Sequence, residues 1–129
     1  MAEQYGRPSG LFGRLFLGRL LNRVNTPSNN FMFDLMALES DDRLLEIGFG
    51  GGALLMRSAH QVSTGSITGI ELSEAMLANL EKRTRSFANV KLKFGSVEDL
   101  PAESQSFSCV VSVNTVYFWR DLKRGLQEI

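Results

Sequence analysis

The chain has 129 residues, which suits one domain with a buried core. Its 14 basic and 14 acidic side chains cancel, so no net field draws it to nucleic acid or to an anionic membrane. A single cysteine, Cys109, excludes an internal disulfide framework and a cysteine-built metal site, and no run approaches the roughly 18 apolar residues of a membrane span.

Residues 1–10 are polar and contain Gly6, Pro8 and Gly10, the composition of a loose leader. From residue 11 to 24 the apolar side chains recur at three- and four-residue spacings, which predicts an amphipathic helix. Arg14, Arg19 and Arg23 are its charges. The arginines interrupt the apolar run, so no secretory signal is read and the cytoplasm is the expected location. Two roles are open to this helix: touching a membrane surface, or packing over the domain and its ligand mouth. Gly13 and Gly18 weaken a free-standing helix and favour packing. Asn25, Thr26 and Pro27 predict a break, with Thr26 capping a second helix that runs to about residue 39. Ser40, Asp41 and Asp42 then form a turn.

Apolar strands and amphipathic helices alternate from there. The sequence predicts strands at 44–47, 66–70, 90–94 and 107–113, and helices at 53–60, at 74–86 behind a Ser73 cap, and from Asp121 onward. The β-α-β order implies an α/β fold: a Rossmann-like parallel sheet with right-handed crossovers and helices on both faces. Cys109, within CVVSV, reads as a small core residue, and His60, the single histidine, as a helix-end residue away from the chemistry.

Parallel sheets bind ligands beyond the carboxyl ends of their strands. The loop after the first strand is Gly48-Phe49-Gly50-Gly51-Gly52. Glycines allow positive φ and let a ligand lie against bare backbone, and the next helix begins with unpaired N–H groups. Gly48, Gly50 and Ala53 also satisfy the dinucleotide pattern, so the loop alone leaves the nucleotide open. Glu71 ends the second strand, where a carboxylate can accept both hydroxyls of a ribose. Glu46 lies inside the first, otherwise apolar strand. A buried acid is costly unless paired, and a cationic ligand supplies the pairing. S-adenosylmethionine, with an ammonium and a sulfonium, meets that need; in NAD-binding, oxidoreductase-type domains, the alternative, an apolar residue normally stands at such a position.

From Arg43 onward these residues resemble the class I S-adenosylmethionine-dependent methyltransferases, in particular the small-molecule branch that includes the ubiquinone and menaquinone biosynthesis C-methyltransferases. LEIGFGGG (residues 45–52), GIELSEAML (69–77), FGSVEDLP (94–101) and the strand leading to Asn114 follow that family's four motifs in order. The resemblance implies a cofactor site of Glu46, Gly48, Phe49, Gly50, Gly52, Glu71, Leu72, Met76, Ser96, Val97 and Asn114. Leu72 and Met76 would lie against the adenine, and Asn114 would face the methionine part. Ser96 stands where the family often has Asp, and Val97 would offer its backbone N–H. Glu98 and Asp99 read as loop charges. Tyr117, Phe118 and Trp119 are open to two readings, a pocket wall or core packing. The partner implied is a small-molecule methyl acceptor.

The resemblance also implies seven strands, of which this sequence supplies four, in the order 3-2-1-4. The C-terminal strands are missing, which leaves the fourth strand as an open edge. A fragment of a longer protein, or pairing of that strand in a homodimer, are the two explanations, with the fragment favoured. The expected organisation is an N-terminal helical segment, residues 1–42, acting as a lid, followed by an incomplete cofactor-binding domain, residues 43–129.

Overall fold

The computed structural model describes the backbone of residues 11–129 and side chains from residue 23 onward; the leader expected at residues 1–10 lies outside them. Helix α1 spans Leu11–Met36, followed by β1 (Arg43–Ile47), α2 (Ala53–Gln61), β2 (Ser66–Glu71), α3 (Glu74–Thr84), β3 (Val90–Phe94) and β4 (Cys109–Val111). A 3₁₀ turn at Val116–Phe118 and helix α4 (Leu122–Glu128) complete the order. The four strands form a parallel sheet in the order β3-β2-β1-β4, as the alternation of elements predicted.

The predicted break at residues 25–27 is corrected: α1 runs through Pro27 without interruption. Proline fixes φ near a helical value, so the ring is tolerated and the loss is one hydrogen bond to the preceding turn. Met32, Phe33 and Met36 beyond it pack on the main core, which holds the helix in place against that loss. Ala37, at φ 45°, then ends the helix in a left-handed turn.

β1 and β2 are buried almost end to end, as strands with packed faces require. Alternation along β1 divides the core in two. Leu44 joins Leu54, Leu55, Ile67 and Leu80 in the larger cluster beneath α1, α2 and α3. Leu45 and Ile47 point the other way, to Ile70, Val97, Phe107 and Trp119. The second face is closed by the 97–107 loop and α4. There Trp119 packs so closely that a Cβ on Gly125 would lie 2.7 Å from its ring, and Glu98 anchors the chain by accepting from the Asp121 N–H at 3.0 Å.

β4 is shorter than predicted: it pairs with β1 only from Leu44↔Cys109 to Glu46↔Val111, although β1 continues to Ile47. At Ser112 the ladder gives way to a side-chain bond, in which the hydroxyl donates to the Ile47 carbonyl at 2.9 Å. Among the described residues, no helix is long and apolar enough to cross a membrane.

Candidate functional site

Because all four strands are parallel, their carboxyl ends lie along one edge of the sheet. The glycine turn leaves β1 at this edge, Glu71 ends β2 there, Ser96 and Val97 follow β3, and Ser112 to Asn114 follow β4.

The turn needs its glycines. Gly48, Gly50 and Gly52 all have positive φ, at 72°, 53° and 78°. Gly48 donates to the Ile70 carbonyl at 2.7 Å, and a Cβ there would come within 2.6 Å of the Thr115 methyl. Gly50 is different: nothing lies within 4 Å of where its Cβ would be. Its φ demands glycine while its surroundings are open, as expected of backbone laid bare for a ligand.

Glu71 fastens this turn. One carboxylate oxygen accepts from the Gly50 N–H, and the other from the N–H groups of Leu72 and Ser73, all at 2.9 Å. Burial pushes its pKa up, and the three N–H bonds pull against that shift. An ionised carboxylate has about four acceptor positions, so lone pairs remain for hydroxyl donors. The clasp was not legible in the sequence, although an acid directly before a helix cap (Glu71-Leu72-Ser73) is its local signature. Ser73 caps α3 by accepting from the Met76 N–H.

Glu46 is 4% exposed, and its Oε2 has no hydrogen-bond partner. Its cross-strand neighbours are Gly69 and Val111. A Cβ on Gly69 would strike Leu55 and Phe49, so apolar side chains lie over the bare backbone beside the acid. Desolvation, with repulsion from Glu71 second, raises the Glu46 pKa to about 8. Of the two acids, Glu71 has three N–H donors, whereas Oε2 of Glu46 has none.

The other predicted residues divide. Leu72 is exposed at the exit of β2. The side chains of Phe49 (5% exposed), Met76 and Val97 are core. Ser96 accepts from the Glu98 N–H at 3.2 Å. Asn114, at φ 55°, donates to Asn25 of α1 at 2.9 Å, which joins α1 to the ligand edge. A cleft of about 470 Å³ opens beside this bond, between Pro27, Ser28, Phe31 and Met32 on α1 and Ser112, Val113 and Asn114. Of the aromatic trio, only Trp119 follows the core-packing reading. Trp119 is core, whereas Tyr117 and Phe118 are exposed, 4.6 Å apart. His60 stacks edge-on against Phe87 at 4.9 Å, away from the turn. Cys109 is half-buried and packs on the core, as read. Sequence reasoning missed Thr115, which hydrogen-bonds Ser112 and accepts from the Trp119 indole N–H at 3.2 Å, bracing the turn against β4.

Residues 44–129 match the model of the family described as methyltransferase domain. The uncharacterised methyltransferase YdaC of Bacillus subtilis is 28% identical over 115 residues, covering 89% of this chain and 63% of that protein. A demethylmenaquinone methyltransferase of Staphylococcus aureus is 37% identical over 76 residues, covering 58% of this chain and 32% of its own length. The chain thus spans about a third to two thirds of these relatives. In fold it resembles a SAM-dependent methyltransferase from Aquifex aeolicus, with a TM-score of 0.72 at 16% identity, covering 86% of this chain and 64% of that one. Strand order, glycine turn and family match agree, and the chain belongs to the methyltransferase domain family, with its Rossmann-like fold.

Proposed function

We propose that this chain binds S-adenosylmethionine at the carboxyl edge of its sheet and is the cofactor-holding part of a methyltransferase for a small-molecule acceptor. The observation that carries the reading is the pair of buried carboxylates flanking the glycine turn, one clasped by backbone N–H groups and one with an unpartnered oxygen. The residues fit the group. Gly48, Gly50 and Gly52, with the backbone of Phe49, form the cradle, and Gly50 has open space above it. Glu71 is placed to accept the ribose hydroxyls, and Glu46 to face positive charge. Leu72 offers an exposed apolar surface for the adenine, with Met76 beneath it in the core. Ser96 and the Val97 N–H would meet the rim of the base, and Asn114 the methionine part.

S-adenosylmethionine supplies, when bound, a methyl group already activated by the sulfonium. The protein's task is then placement, worth roughly 7–11 kcal/mol when two reacting groups are held in line. No nucleophile–base set is required of the chain. The cleft between α1 and the end of β4 is where we place the acceptor, with α1 as its cover. Its lining is largely apolar and carries no ionisable side chain among the described residues, which suits an uncharged small molecule.

Titration calorimetry with S-adenosylhomocysteine and, in parallel, with NAD tests the cofactor. We expect the first to bind and the second to bind more weakly or not at all. Tighter binding of NAD sinks the reading in favour of an oxidoreductase-type nucleotide site.

A further inference from the structure

Glu46 poses an electrostatic problem that its neighbours leave unsolved. Its Oε2 is buried without a partner, and among the described residues no salt bridge reaches it. The nearest charge that acts on it is Glu71, of the same sign. Among the described residues, the cations on α1, α2 and α3 (its C-cap included) have other partners or lie exposed, as Lys82 and Arg85 do. Arg57 of α2 is held by Asn30 and Asp34 of α1 and lies over the Phe33 ring at 3.8 Å. Arg83 of α3 donates to the Gly51 carbonyl at 2.8 Å. His60 of α2 sits against Phe87, and Arg23 of α1 is exposed. Gly69 and Val111, its partners across β2 and β4, bring no charge; the thiol of Cys109, also on β4, is itself pushed up by burial and stays neutral.

An ionised Glu46 in the free protein would be a buried, uncompensated anion beside a second carboxylate. A neutral carboxyl avoids this. A ligand cation arriving at the turn reverses the balance, because it compensates the anion and not the acid. We propose that the free protein keeps the Glu46 carboxyl protonated and that the cationic cofactor binds its ionised form, so that binding expels one proton to solvent. The O–H bond breaks, its electron pair stays on the carboxylate facing the cation, and the proton passes to buffer. The inference rests on the cofactor reading above and adds a coupling to it. Its consequence is a pH-dependent affinity. Since the free carboxyl titrates at about 8, binding weakens about tenfold for each pH unit below that value, until the carboxyl titrates in the complex as well.

The test is calorimetry on the whole chain at about pH 6.5, where Glu46 is almost fully protonated, in phosphate and in imidazole buffers. The dependence of heat on buffer counts the protons exchanged. S-adenosylmethionine is expected to release close to one proton. The neutral analogue 5′-methylthioadenosine, which lacks both cations, is expected to release none. E46Q is expected to bind S-adenosylmethionine more weakly, without release and with affinity independent of pH. In the infrared difference spectrum of the wild type, the carbonyl band of a protonated carboxyl disappears when S-adenosylmethionine is added, a readout that needs no variant. Binding without proton release, release unchanged in E46Q, or persistence of that band each overturns the coupling while leaving the cofactor reading intact. Failure of S-adenosylmethionine to bind at all rejects both.

Discussion

Replacing Glu46 by glutamine removes a titration while keeping the size of a neutral carboxyl, and the free protein should become more stable for it at alkaline pH. The folded chain holds the Glu46 proton up to about pH 8, whereas the ordinary value is 4.5. Between those values the folded state carries a proton that the unfolded chain has released, so stability falls as pH rises through the window. At about 1.4 kcal/mol per pH unit, the full window corresponds to a loss of at most about 5 kcal/mol. That is comparable to the whole stability of a marginal domain. Glu71 is raised in the same direction and adds to the slope. Asp42 is lowered, by the Glu39 N–H and the Ser108 hydroxyl, so its contribution is complete before the window begins and does not mask it. Urea unfolding followed by circular dichroism at several pH values from 5 to 8.5 measures the effect. Wild type should lose several kcal/mol across that range, while E46Q stays nearly level and exceeds wild type at pH 8.5. Equal slopes in the two proteins, or a variant that is the less stable at pH 8.5, would refute the reasoning that Glu46 is buried as a neutral acid.

Four further substitutions probe the turn and α1. E71A strips three backbone N–H groups of a charged acceptor. It should cost about 2–4 kcal/mol in urea unfolding and weaken S-adenosylhomocysteine binding more than tenfold; unchanged affinity by calorimetry places the ribose elsewhere. G48A and G50A form a contrasting pair: alanine at Gly48 meets the Thr115 methyl at 2.6 Å, whereas at Gly50 it meets nothing. The first should destabilise by about 2–3 kcal/mol, the second by about 1 kcal/mol, with G50A showing its main loss in cofactor affinity; equal losses of stability contradict the contrast. P27A restores a backbone donor inside a continuous helix and should raise the urea midpoint, by about 1–3 kcal/mol of stability. A lower midpoint means that the proline fixes a bend the packing of α1 needs.

Period and punctuation in the sequence specify the sheet well. Short apolar or alternating runs separated by helical patterns leave few topologies, and β1, β2 and β3 lie within a residue of where the runs place them. What the sequence hides depends on contacts between distant residues. Thr26-Pro27 carries the local signature of a helix start, yet the packing of Met32, Phe33 and Met36 carries the helix through it. Phe107 and Ser112 look like strand residues, but Phe107 turns into the second core cluster and Ser112 meets the Ile47 carbonyl with its hydroxyl. At the site, the acids and glycines are visible one by one. That Glu71 binds the Gly50 N–H, 21 positions away, is a product of the fold. Glu98 looked like loop charge and instead holds the start of α4, because its partners are backbone N–H groups that no sequence pattern marks.

The alternation of β1 also explains why one acid of the pair is quiet and the other is not. Glu71 stands at a strand end, where the turn into α3 supplies free N–H groups, and its charge is accommodated before any ligand arrives. Glu46 lies one residue inside the end of β1, in the ladders to β2 and β4, where the neighbouring side chains are apolar. Its Oε2 has no partner there. A cation from outside compensates the ionised form, and a neutral ligand gains nothing from it. The same placement that makes Glu46 unfavourable in the free protein therefore makes it selective for a cation at the turn. Stability near pH 8 and affinity for the cofactor are then two readings of one proton, and E46Q should alter both in opposite directions: a more stable free protein and a weaker complex.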